Sequence, residues 1–228
     1  RRSLAYVGHL TDMHIIDAQS PARFEPMIAQ DHALWAGAFR PQDTLTTHVG
    51  ASVVRSIADV RVSPVTGAPM AAAFVTGDSA DMLSRLETRW YIDLLDGVPV
   101  TADSGVAAQY DGVQSWPQAY YAYHPEDPTG DWFGAYGFPA VLGMLAAAVG
   151  QSVDSGGLPV PWYAVYGNHD TLLLGTLGVP FGLRELAVGG RKFWDWSPLA
   201  MDYLQSWTAD ASALTRMVHA ATSVLGLS

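Results

Sequence analysis

Three short stretches carry side chains whose types and spacing suit metal chemistry: Asp12 and His14 in "HLTDMH", Asp78 and Asp81 in "TGDSAD", and Asn168, His169 and Asp170 in "YGNHDT". Carboxylate, imidazole and amide oxygen together favour a divalent ion such as Mn, Fe or Zn. The chain has no cysteine, which removes any thiolate site. Several carboxylates can hold two ions about 3.5–4 Å apart, and Asp78 is placed to bridge such a pair. Two ions point to phosphoryl chemistry. Taken singly, each stretch has a plainer account: Asp12 and His14 as a capped strand-to-loop turn, and Asp78 and Asp81 as a turn running into a helix N-cap. The coincidence of all three favours the shared site.

The elements that must position these residues follow from the hydrophobic pattern. Residues 3–14, 70–81 and 161–170 each open with a short apolar run lacking clean alternation, which predicts strands covered on both faces. Ligands of an open α/β sheet gather at the carboxyl ends of its strands, and here those ends carry the three polar clusters. Val49, Val53, Ile57 and Val60 predict a helix over 48–60, and Leu83, Leu86, Trp90 and Leu94 predict another over 82–95. A third is expected from Pro139 to Val149, closed near Gly150. The tail from Pro198 predicts one or two amphipathic helices. Strands alternating with helices imply a parallel sheet.

Two stretches, 97–138 and 171–197, are dense in Gly, Pro and aromatics and fit no regular element. The first is expected to be an inserted packing unit, with Trp116, Tyr120, Tyr121, Tyr123, Trp132, Phe133 and Tyr136 packing it together; stacking on a sugar or nucleoside is the alternative. In the second, Arg184, Arg191 and Lys192 are read as solvated surface charge, with a substrate phosphate as the alternative partner.

The chain has 228 residues and a formal net charge of −10, so it is expected to repel nucleic acid and not to bind it as a general partner. The same acids become useful for a phosphate ester once divalent cations sit among them. No run approaches the roughly 18 apolar residues of a membrane span. Arg1 and Arg2 precede an apolar run, as in a twin-arginine signal, but Gly8 and His9 interrupt it and a buried strand is the better reading. The compartment stays open between cytoplasmic and exported.

Asp12-Met13-His14, Gly77-Asp78-Ser79-Ala80-Asp81 and Gly167-Asn168-His169-Asp170 resemble, in order and in strand context, the first three signature motifs (DxH, GDxxD, GNHD) of the calcineurin-like metallophosphoesterases. The resemblance implies that Asp12 and His14 hold a first metal, that Asp78 bridges both and that Asn168 holds the second. It implies His169 near the leaving group as general acid or charge stabiliser, Asp81 orienting it, and a metal-activated hydroxide as nucleophile. It further implies an α/β fold, a metallophosphatase-type two-sheet sandwich flanked by helices. The family's later ligands, an isolated His and a GHxH motif, are not recognisable after Asp170. His219, the one later histidine, is expected on a helix rather than at the metals. Residues 1–228 therefore read as the amino-terminal portion of one metallophosphoesterase domain with an insertion at about 97–138. Its uncovered sheet would be met by the carboxy-terminal remainder of a longer protein or by a self-associating copy. The expected activity is dinuclear-metal-dependent hydrolysis of a phosphorylated small molecule, either a phosphate ester or a nucleotide-type anhydride. The alternative is a catalytically incomplete metal-binding, carbohydrate-binding or surface-interaction module of the same fold.

Overall fold

The computed structural model describes residues 3–20, 25–29 and 32–171. Its elements run β1 (Val7–Leu10), α1 (His32–Trp35), α2 (Thr46–Asp59), β2 (Ala72–Val75), α3 (Arg85–Asp96), β3 (Val100–Thr101), α4 (Trp132–Ala135), α5 (Met144–Gly150), β4 (Ser152–Val153) and β5 (Trp162–Ala164), with short 3-10 turns between them. The fold is mixed α/β with small sheets. Among the described residues no helix is long and apolar enough to cross a membrane. The expected tail helices, the loop at 171–197 beyond Thr171, and with them Arg184, Arg191, Lys192 and His219, lie outside the described residues.

The chain divides into two units. The first comprises 3–17, 42–110 and 143–171 of the described residues and holds the sheet β1-β2-β5, all parallel, with Val7 opposite Ala72 and Ala73 opposite Trp162. The expected parallel pairing of the three motif-bearing strands is present. A second sheet pairs β3 with β4 antiparallel. The core joins Leu10, Ala73 and Val75 of the sheet to Ala51 and Val54 of α2 and to Trp90, Tyr91, Leu94 and Leu95 of α3.

Three local expectations need correction. Among the described residues the strands are covered on one face only: β1 alternates exposed and buried, and Val7, Phe74 and Tyr163 stand exposed on the other side, with Phe74 and Tyr163 stacked at 5.8 Å. Secondly, α2 buries Gly50, Ala51 and Val54, whereas Val49, Val53 and Val60 are exposed. The reason is close packing: a Cβ on Gly50 would lie 3.1 Å from both Ile15 and Leu94, so the small-residue face fits where a valine stripe would not. Thirdly, α5 begins only at Met144, after Gly143 at φ 76°, because residues 139–142 are held elsewhere, with Val141 N–H donating to the Pro125 carbonyl.

The second unit contains 18–20, 25–29, 32–41 and 111–142 of the described residues. Its core is Ile28, Phe39, Val113, Ala119, Tyr121, Ala122 and Tyr123, with Trp35, Trp116, Trp132 and Phe133 packed against it. Edge-to-face ring contacts at 5.2–5.6 Å link Tyr123, Phe138, Phe133 and Phe39. Most aromatics of the insertion are thus occupied in packing. Tyr120, Tyr136 and Phe138 are the exposed ones among them.

Candidate metal centre

The backbones that leave β1 and β2 continue side by side past the ends of the strands. Asp12 N–H donates to the Gly77 carbonyl (3.1 Å), His14 N–H to Asp78 (2.9 Å) and Ile15 N–H to Ser79 (3.0 Å), and Asp81 N–H returns to Ile15 (3.2 Å). This pairing puts the first two motifs in register. It also forces unusual backbone geometry on them. Five non-glycine residues have positive φ among the described residues, and three are Asp12 (55°), His14 (43°) and Asp78 (50°). A left-handed L-residue costs about 1–2 kcal/mol, so such a concentration of strain belongs to a site that other contacts hold in place.

The third motif closes on the second through two glycines. A Cβ on Gly77 would lie 2.6 Å from the Gly167 nitrogen, and one on Gly167 would lie 2.1 Å from Asp78 Oδ1. Neither position has room for a side chain. With the backbones this close, Asp78 Oδ1 accepts the His169 N–H at 2.8 Å.

The side chains then converge. His14 Nε2 lies 3.8 Å from Asp78 Oδ2 and 3.8 Å from Asp12 Oδ1, and the His14 and His169 rings meet edge to face at 4.5 Å. Donor atoms of His14, Asp78 and His169 all fall within 4.8 Å of one another. Asp12 lies at the solvent side, its side chain 60% exposed, and accepts a hydrogen bond from the Thr11 hydroxyl. Asn168 is exposed in the turn beside His169, its carbonyl accepting from Thr171.

Asp81 sits beneath both imidazoles. Its Oδ1 lies 3.0 Å from His14 Nδ1 and 3.2 Å from His169 Nδ1, and its backbone carbonyl is 3.0 Å from the latter. A carbonyl can only accept, so His169 Nδ1 carries a proton; an ionised Asp81 sets the same tautomer on His14. Both rings therefore direct Nε2 away from Asp81, His14 as a lone-pair donor. The hydrogen bond to Asp81 raises the His169 pKa, helped by the charges of Asp81 and Asp78 and opposed by burial.

The plainer account of Asp78 and Asp81 as a helix N-cap does not describe this structure. The N-cap of α3 is Ser84, whose hydroxyl accepts the Glu87 N–H while Glu87 reaches back to the Ser84 N–H. Both Asp78 and Asp81 are buried without a capping role. Sequence reading brought out Asp12, His14, Asp78, Asp81, Asn168 and His169 but gave no role to Asp170, whose only signal was its place in the third motif.

The donor set fits a first-row divalent ion: imidazole nitrogen with its second nitrogen anchored on a carboxylate, next to carboxylate oxygens. Comparison with known proteins gives no matching family model, no matching curated protein and no matching solved structure.

Proposed function

We propose that this chain carries the metal-holding motifs of a dinuclear-metal-dependent phosphoesterase of the calcineurin-like type, with the two-sheet sandwich fold of that family. The observation that carries the reading is the meeting of His14, Asp78 and His169, from three stretches far apart in sequence, on backbones strained at Asp12, His14 and Asp78. Chance turns need no such strain.

Asp12, His14 and Asp78 would hold a first divalent ion, and Asp78 with Asn168 a second; when bound, such ions supply an activated water and neutralise phosphate charge. The chain's own groups do the rest. Asp81 fixes the His14 ring so that Nε2 presents its lone pair to the cluster. His169, its Nδ1–H anchored on Asp81 and its pKa raised, is the group placed to act as general acid toward the leaving oxygen as the ester bond breaks. The buried carboxylates Asp78 and Asp81 keep phosphate out until cations are present, which makes the site metal-dependent by charge alone.

The test is Mn²⁺ uptake together with hydrolysis of a phosphate-ester panel, wild type against Asp78→Asn. The reading expects Mn²⁺ affinity to fall at least tenfold and any hydrolysis to fall at least a hundredfold in the variant. Equal metal content and equal hydrolysis in the two proteins would remove it. Metal uptake by the wild type with no hydrolysis of any ester would favour the metal-binding module instead.

A further inference from the structure

We propose that Asp170 is the positioning residue that ties the second and third motif loops together. Its Oδ1 accepts the N–H groups of Ser79 and Ala80, each at 2.9 Å, and its Oδ2 accepts the N–H of Gly167 at 2.9 Å. Asp170 is only 7% exposed, so water competes poorly for these donors. Both oxygens face N–H groups of the protein. The carboxylate is spent on the backbone and takes no part as a metal ligand.

What these three donors have in common is their location. Ser79 and Ala80 lie between Asp78 and Asp81, and Gly167 directly precedes Asn168 and His169. Beyond β2 and β5 the strand ladder stops, at Val75 opposite Ala164, so these N–H groups have no sheet partner to fix them. One side chain supplies the acceptors for both loops. It thereby sets the approach of Gly167 to Gly77, and through it the distance at which Asp78 meets His169. An amide in its place would keep one acceptor and turn an NH₂ group toward N–H donors, so the tie depends on charge and on both oxygens.

The consequence for metal affinity rests on the phosphoesterase reading; the tie itself does not. The test uses the whole chain with Asp170→Asn and Asp170→Ser, following amide exchange at residues 79, 80 and 167 without metal and then titrating with MnCl₂. Both variants should exchange these three amides at least tenfold faster while amides in α2 and β2 keep their protection. Mn²⁺ affinity should fall at least tenfold yet reach wild-type occupancy at saturating metal, a recovery that Asp78→Asn should not show. Unchanged exchange overturns the proposal; faster exchange beside unchanged Mn²⁺ affinity overturns its consequence for the metal site. Global unfolding of both variants also overturns the proposal, since Asp170 would then support the fold and not the loops. If the wild type takes up no Mn²⁺, the metal reading fails by itself and amide exchange alone decides whether Asp170 ties the loops.

Discussion

Asp81 serves two imidazoles at once, and that sharing makes the site a unit in which no residue is independent. A buried carboxylate that accepts from His14 and His169 fixes the orientation of both, so a change at Asp81 is felt at the two imidazoles together. Immediately behind this loop lies Tyr91, whose hydroxyl is buried beside Ser79 without a well-formed hydrogen bond. Burial pushes its pKa up to about 12, outweighing the lowering influence of Ser79. The unfolded chain releases this proton near pH 10 and the folded chain near 12, so across that window the folded state binds more protons and stability falls as pH rises. The loss, on the order of 2–3 kcal/mol, should be complete by about pH 12 and absent below pH 10. Urea unfolding between pH 9 and 12 checks it: Tyr91→Phe should lack this segment of the decline, and an unchanged slope would show that Tyr91 is not its source. At this scale the candidate ligands were legible because metal chemistry demands particular side chains at particular spacings. Asp170 was not, because accepting backbone N–H groups leaves no mark on spacing.

Helix α2 illustrates what hydrophobic pattern conveys about an element and what it leaves out. A period near 3.6 correctly placed a helix over this segment, yet the apolar stripe it singled out faces solvent at Val49, Val53 and Val60. Burial followed closeness of approach instead, on the face formed by Gly50, Ala51 and Val54, which packs against Ile15 and Leu94. The two faces predict opposite outcomes. Gly50→Val adds a Cβ that would lie 3.1 Å from Ile15 and Leu94, with two methyls beyond it, and should destabilise the protein by about 1–3 kcal/mol, whereas Val49→Ser should stay within about 0.5 kcal/mol. Thermal or urea unfolding of the two variants reads this directly, and a costly Val49→Ser beside a neutral Gly50→Val would reverse the assignment of the buried face. Helix α3 was read more accurately, because Trp90 and Leu94 are bulky enough to define its core side. Its start was not, since the capping box of Ser84 and Glu87 begins later than the apolar repeat suggests.

For the whole molecule, the central fact is convergence: three loops separated by tens of residues meet because three parallel strands end at one edge of a small sheet. Parallel order and the location of the site were legible in the chain, since each motif closes an apolar run. Cover on the second face of the sheet was not, because Phe74 and Tyr163 are apolar but exposed among the described residues. With a net charge of −10, the molecule has an electrostatic reason to draw divalent cations toward the point where, among the described residues, His14, Asp78 and His169 gather. The most direct test of that claim is pulsed electron paramagnetic resonance of the Mn²⁺-loaded chain, which reports nitrogen coordinated to the metal. The account predicts an imidazole nitrogen coupling that disappears in His14→Ala and persists in His48→Ala. A bound Mn²⁺ with no nitrogen coupling, or a coupling that survives His14→Ala, would contradict it.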